Sequence, residues 1–425
     1  MTPSAAEGCR GAKGLYRSGK LSFLVAAAAI LQISESMLPH PVPGLRFGLA
    51  NIVTLIILVR YGFRPALAVT LLRTVVSSFV LGTFLSPGFI LSFSGGCASI
   101  AVAGGLHTLS ARVPLLRVSP MGLGIAGAFV HNMVQLGLAY LMLFSHPGIF
   151  FLVPWLSFGS VILGSLSGAL AAGVLKQLAG EAGAVPLEIQ PVAPLQSRVY
   201  RPADTWLHRC PPALKIAAVL TVTLATVLVE NLVLYGALFA AVLILNPATS
   251  LSYARVFQVL KKIWAIVLSA FLLPLYFNPG SQVLIDTALG ILHREAVVSA
   301  CVFSARIALL ALVSNLVAQT TSAEAFTRGI CTWLRPLDRL GLQSAAVAET
   351  LSRSLTALPT VWVEIRSVLT ALLAGRPEDL KTLKTVVVQL FCYLFKEDLF
   401  NDLFHDGDGH YIYEELPHSG RSGLF

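Results

Sequence analysis

Long apolar stretches alternate with short polar joints along most of the chain. Crossing the hydrocarbon layer of a bilayer takes about 20 helical residues, with about 17 as the lower limit. Six stretches in the first half approach or meet that length: approximately 21–38, 49–61, 65–83, 89–106, 121–144 and 149–175. The second is short and borrows support from its flanks. Between 179 and 212 six prolines interrupt any helix (Pro186, Pro191, Pro194, Pro202, Pro211, Pro212), as a linker between two membrane domains would. The pattern then restarts with 213–229 and 232–245, an amphipathic stretch around 253–262, and apolar runs at 263–277 and 296–317. This periodicity predicts an all-α polytopic membrane protein with two helical membrane domains and about ten transmembrane helices.

Beyond Gln319 the pattern changes from spanning to amphipathic. Thr321-Ser322-Ala323-Glu324 reads as a capping box, with the Thr321 hydroxyl and Glu324 carboxylate satisfying free amides at a helix start. Two amphipathic helices are expected at 345–358 and 360–373, where Val347, Leu351, Leu355 and Leu358, then Ile365, Val368, Leu369 and Leu372, recur at helical spacing. The last apolar run, 386–395, is too short to span. The expected domains are a basic cytoplasmic N-terminus (1–20), a six-helix domain (21–178), a Pro-rich linker (179–212), a four-helix domain (213–319), cytoplasmic helices (320–376) and a short apolar run with an acidic tail (377–425).

Composition supports this class. Charged residues make up 12% and hydrophobic residues 56% of the 425 positions, and the mean hydropathy is +0.77, so a water-exposed surface cannot be built. The net charge of +9 matters through its placement. Arg10, Lys13, Arg17 and Lys20 precede the first span, Arg60 and Arg64 lie between the second and third, Arg112 and Arg117 between the fourth and fifth, and Lys176, Arg198, Arg201 and Arg209 after the sixth. The opposite joints carry only Arg46. This places the basic joints and both termini in the cytoplasm, with the protein multi-pass in the inner (plasma) membrane, and argues against nucleic acid as the partner of the basic charge. The six cysteines form no CxxC and read as reduced thiols, and the first apolar segment reads as a retained helix rather than a signal peptide.

Three motifs mimic chemistry. Gly14 to Lys20 nearly completes a Walker A loop, but Leu21 stands where a magnesium-binding Ser or Thr belongs and no strand precedes it. Gly122, Gly124 and Gly127 form a GxGxxG inside an apolar segment, where helix packing explains small residues equally well, as for the GxxxG of Gly164 and Gly168. Asp406, Asp408, Gly409 and Glu415 match part of an EF-hand loop whose first position is Phe404. No metal, cofactor or catalytic residue is expected on this chain.

Polar side chains inside apolar segments cost several kcal/mol in hydrocarbon and are functional candidates by default. Glu35, Asn51, Arg73, His131, Asn132 and Gln135 qualify. Glu35 and Asn51 fall in the outer half on the topology above. His131 with Gln135 (i, i+4) and Asn132 with Gln135 (i, i+3) share a broad helix face, which either lines an outward-open pocket or ties helices together. Arg73 is expected to pair or snorkel.

The residues Glu35-Ser36-Met37-Leu38-Pro39, Gly48-Leu49-Ala50-Asn51-Ile52, Leu81-Gly82-Thr83-Phe84, Ser94-Gly95-Gly96 and Gly127-Ala128 with His131-Asn132-x-x-Gln135 resemble the family called heptaprenyl diphosphate synthase component I, or Gx transporters. That family is similar to the substrate-binding S components of energy-coupling factor transporters, and the resemblance covers roughly 20–178. Pro212-Ala213-Leu214-Lys215, Arg306 in Ser-Ala-Arg-Ile, Gln319-Thr320-Thr321-Ser322, Arg335-Pro336-Leu337 and the run from Leu351 to Pro359 resemble the transmembrane T component, the cobalt-transport permease family. In that family two long cytoplasmic coupling helices grip a pair of ABC ATPases and lie under the S component. The family's Ala-Arg-Gly helix ending is here Ala374-Gly375-Arg376.

The resemblance implies a natural fusion of S and T components. Glu35, Asn51, His131, Asn132 and Gln135 would bind a small solute, Arg353, Arg366 and Arg376 would contact ABC-type ATPase subunits, and ATP would be used by those subunits, not by this chain. The rival reading is a membrane accessory component of prenyl diphosphate synthesis, although no DDxxD motif is present.

Overall fold

A computed structural model of the chain describes residues 19–37, 48–113, 117–144, 147–179, 203–229, 231–248, 253–277, 283–287, 290–340, 343–373 and 380–395. The first bundle consists of α1 (Lys20–Met37), α2 (Leu49–Tyr61), α3 (Phe63–Leu81), α4 (Pro87–Arg112), α5 (Pro120–Ala139) and α6 (Val153–Ala179), with a π-helical turn Tyr140–Phe144 and a 3-10 segment Pro147–Leu152 between the last two. Local chemistry sets these boundaries. Ser86 and Ser119 cap α4 and α5 by accepting the N–H of Phe89 and Gly122, each with proline at the first helical position, where its missing N–H costs nothing. Gly82 closes α3 at φ +69°, a conformation natural to glycine.

Helix α1 is apolar on all sides from Phe23 to Leu31 and buried throughout, the signature of a helix enclosed by others. Against this, Trp155, Phe158, Val161, Ile162 and Leu166 of α6 are exposed, a face suited to lipid. Helices α5 and α6 approach until only glycine fits. A Cβ on Gly124 would meet the Gly164 carbonyl at 2.5 Å, and one on Gly168 would meet Met121 Cα at 2.4 Å. Close packing thus accounts for the GxxxG and for Gly124 of the GxGxxG, while Gly127 faces Ser99 of α4, where a Cβ would approach Oγ at 2.9 Å.

The second bundle contains α7 (Pro212–Leu228), α8 (Leu232–Ala248), α9 (Tyr253–Phe277) and α10 (Arg294–Thr320). The amphipathic stretch and apolar run expected as separate elements within 253–277 form one helix. An antiparallel hairpin of β1 (Val283–Thr287) and β2 (Gly290–His293) precedes α10, a local exception in an otherwise helical chain. Five helices among the described residues are long and apolar enough to cross a membrane, and five apolar helices are shorter.

Helices α11 (Ala323–Leu334), α12 (Ser344–Leu373) and α13 (Leu380–Leu394) follow. Two expectations change here. The cap of α11 is Ser322, whose hydroxyl accepts the Ala325 N–H, because Thr321 is the C-cap of α10; the Thr321–Glu324 box does not form. The two helices expected at 345–358 and 360–373 are one 30-residue helix with Pro359 inside it. Proline removes an N–H and crowds the preceding turn, yet Leu351, Leu355, Leu358, Val361, Ile365 and Val368 form one unbroken buried stripe across it. Packing of that stripe overrides the local penalty.

The two halves interlock. Helix α12 packs along α1, and Ser354 Oγ, whose single proton is shared with the Thr350 carbonyl of its own helix at 2.6 Å, lies 3.0 Å from the Ser22 carbonyl. Phe326 of α11 stacks on Phe79 at 4.1 Å between centroids and meets Phe84 edge-on at 4.8 Å. Arg306 of α10, 1% exposed, donates through Nε to Tyr235 Oη at 3.0 Å and through Nη1 to the Met142 carbonyl in the π-helical turn at 2.5 Å. Helix α13 covers α6, with Cys392 Sγ 3.0 Å from Gln177 Oε1. Within the second half, Lys215 Nζ donates to the Thr320 carbonyl at 2.7 Å, placing a cation at the C-terminus of α10 where it is favoured.

Candidate functional site

The last turns of α1 bring Gln32 and Glu35, spaced i, i+3, onto one face of an otherwise apolar helix. Glu35 is 4% exposed, and its Oε1 accepts the Gly48 N–H at 2.6 Å. Gly48 is the N-cap of α2 at φ +78°, so the carboxylate secures a left-handed turn and sits at a helix N-terminus, where negative charge is favoured. Asn51 lies in the first turn of α2. Across from both stands Arg73 of α3, buried at 6% exposure. Its Nη2 donates to Asn51 Oδ1 at 2.6 Å and its Nη1 to Gln32 Oε1 at 3.2 Å. Arg73 therefore turns inward and knots three helices together.

These groups, with Thr74, Ser92, His131, Asn132 and Ser160, line a cavity with about 50 Å³ of room for water-sized occupants. A second cavity of the same size shares Asn51, Arg73 and Ala128 and adds Thr54, Thr70, Gly96, Ser99 and Ser167. Each has room for a few waters.

Of the five residues expected to bind solute, Glu35, Asn51, His131 and Asn132 meet at the first cavity. Gln135 does not. One turn further along α5 it lies against α4, where a Cβ on Gly95 would approach Gln135 Cγ at 3.1 Å and His131 Nδ1 at 3.0 Å. Asn132 serves both readings offered for it: it lines the cavity, and its Nδ2 donates to Ser160 Oγ at 2.8 Å, joining α5 to α6. Sequence reasoning missed Gln32, although its spacing from Glu35 was a usable signal. Thr74, Ser92 and Ser160 carry little signal, because Ser and Thr can bond their own helix carbonyls, as Ser160 does to Leu156 at 2.6 Å.

The three arginines expected to contact ATPases are not brought together. Arg353 pairs with Glu349 at 2.6 Å on the same helix, and Arg366 is exposed. They stand about 20 Å apart along α12 at 1.5 Å per residue. Arg376 lies outside the described residues, as do the EF-hand-like loop and most of the Walker-like segment and Pro-rich linker. The start of α12 is capped by Asp338, which accepts from the Ser344 N–H and hydroxyl at 2.7 Å each. Those two bonds, with Arg335 nearby, hold its carboxyl below the ordinary carboxylate range.

One helical bundle thus holds a small polar cavity, and the amphipathic helices that follow the second bundle pack on α1 and α3 of the first. Residues 24–174 match the family described as heptaprenyl diphosphate synthase component I, and residues 203–396 match the cobalt transport protein family. The second half is similar to the energy-coupling factor transporter transmembrane protein EcfT of Listeria innocua, 30% identical over 210 residues that cover 47% of this chain and 79% of the relative. It is also similar to EcfT of Brevibacillus brevis, 27% identical across 40% of this chain and 65% of the relative. EcfT of Clostridium kluyveri is 25% identical across 52% of this chain and 88% of the relative. The chain belongs to the EcfT family of energy-coupling factor transporter membrane components, with a heptaprenyl diphosphate synthase component I–like domain joined in front.

Proposed function

We propose that the first half captures a small solute in the cavity walled by Glu35, Asn51, Arg73, His131 and Asn132, and that the second half couples this capture to ATP hydrolysis on separate ABC-type ATPase subunits. The importer sits in the plasma membrane with both termini cytoplasmic. The observation that carries the reading is the direct seating of the polar-cavity bundle on the amphipathic helices. Ser22 meets Ser354, and Phe79 and Phe84 enclose Phe326.

The orientation implied by the basic joints puts Ser22 at the cytoplasmic end of α1 and Phe79 near the outer end of α3. Both nevertheless meet α11–α12. A 30-residue helix is about 45 Å long, enough to lie beneath the length of the bundle rather than its tip. This favours a state in which the first bundle lies along the coupling helices. ATPase closure, transmitted through α12, then shifts its tilt, provided that nucleotide binds the two states with different affinity. The cavity is too small for the ~300 Å³ of a typical ligand pocket, which suits a closed or released state.

Affinity purification of the intact chain in mild detergent, with mass spectrometry of bound proteins and an ATPase assay, tests this. Two ABC ATPases with turnover that responds to added metabolites are expected. A soluble prenyltransferase without ATPases would instead support an accessory role in prenyl diphosphate synthesis.

A further inference from the structure

The side chains around Arg73 carry information about what the cavity binds. A guanidinium offers only donors and accepts nothing. Both amides that contact it must therefore present oxygen, and they do: Gln32 through Oε1 and Asn51 through Oδ1. The orientation of these amides is fixed by chemistry, since turning either one would set an NH2 against a cation. Their NH2 groups consequently point away from Arg73. Asn51 Nδ2 lies on the Gly48 side, 3.3 Å from where a Gly48 Cβ would stand, and Gly48, Gln32 and Asn51 all line the cavity. Neither NH2 has a protein acceptor among the described residues. The Thr74 and Ser160 hydroxyls spend their protons on the Thr70 and Leu156 carbonyls, so neither supplies a donor to the cavity, and its donors gather at Gln32, Arg73 and Asn51.

Glu35 is the opposing feature. One of its oxygens accepts the Gly48 N–H, and the other would repel an anion brought to that side of the cavity. The wall thus has two chemically distinct ends.

We infer that the cavity, taken as the solute site proposed above, selects a small acidic solute: its carboxylate or phosphate group is held by the Gln32–Arg73–Asn51 donor trio, and an N–H or O–H of the same molecule is directed to Glu35. Charge-assisted hydrogen bonds of this kind are roughly twice as strong as neutral ones, and in a low-dielectric site they discriminate strongly between an acid and its neutral analogue.

Two isosteric substitutions test the assignment. In Gln32→Glu and Asn51→Asp, one carboxylate oxygen still accepts from Arg73, while the oxygen that replaces the NH2 faces the cavity and repels an acid. The full chain is purified in detergent, incubated with an aqueous metabolite extract of bacterial cells, washed, and its retained small molecules identified by mass spectrometry. The expected result is an acidic metabolite enriched by the wild type and reduced more than tenfold in each variant. Because both variants strengthen the bond to Arg73, their melting temperatures should equal or exceed the wild-type value. A lower melting temperature would mean that the replaced NH2 groups donate to a protein acceptor rather than face the cavity, and would overturn the inference. Retention of a neutral or cationic metabolite, unaffected by the variants, would overturn the acid assignment and leave solute capture standing. No enriched metabolite on the wild type would overturn both.

Discussion

Two arginines, Arg73 and Arg306, are buried in the two halves, at 6% and 1% exposure, and they do different work. Arg73 donates to two side-chain amides that wall a cavity. Arg306 donates to a tyrosine hydroxyl and to a backbone carbonyl of the opposite half. An ionisable side chain in an apolar segment is a functional candidate by default, and here the partner separates a site from a staple. Both arginines tie helices together, but Arg73 and its two amide partners line a cavity, whereas the Met142 carbonyl that holds Arg306 belongs to the other half. The Met142 carbonyl lies in a π-helical turn, where the ordinary backbone ladder is shifted.

The contrast breaks most severely where the halves meet. Phe326→Ala removes the ring held between Phe79 and Phe84 and should cost about 3–5 kcal/mol, read as a large fall in melting temperature and increased proteolysis between the halves. Arg306→Met orphans the Met142 carbonyl and should cost about 1–3 kcal/mol. A disulfide trap between cysteines placed on α1 and α12 would then form more slowly, whereas the same trap in Arg73→Met should form at the wild-type rate. Equal slowing in both variants would erase the distinction drawn between the two arginines. Ser354→Ala sharpens the comparison further. Loss of its contact with Ser22, which shares the hydroxyl proton with the Thr350 carbonyl, should cost at most about 1 kcal/mol, with little effect on metabolite retention by the first half.

The smallest effect is electrostatic. The folded carboxyl of Asp338 titrates below its unfolded range, so its stabilisation of the α12 start is present above about pH 4 and is lost as pH falls through the lower folded value. Asp338→Asn should flatten that part of the acid-stability curve. An unchanged curve would remove Asp338 as a cap.

Much of this architecture was legible in the hydrophobic pattern. The short second span at 49–61 coincides with α2, since Gly48 and Gly62 punctuate it on both sides. The pattern failed where tertiary packing outweighed local signals. Pro359 looks like a helix break, and only the buried stripe across it, pressed on α1, reveals one helix. The lining of the candidate cavity was legible for residues that are conspicuous in hydrocarbon, such as Glu35, Asn51, His131 and Asn132. Gln135 shares their helix face by spacing alone but turns to Gly95, a small residue whose role shows only in three dimensions. Arg306 stood in a recognisable motif, yet its link to Met142, 164 residues earlier, has no local signature.

The central claim is a division of labour: the first half recognises, the second transmits. The most direct test measures metabolite retention and metabolite-dependent ATP turnover together in wild type, Arg73→Met and Arg306→Met, each purified with its ATPases. The account predicts that Arg73→Met loses metabolite retention while ATPases still co-purify, and that Arg306→Met keeps retention but loses the dependence of turnover on it. If both variants lose both properties to the same extent, or if Arg73→Met retains metabolites as the wild type does, the division is contradicted.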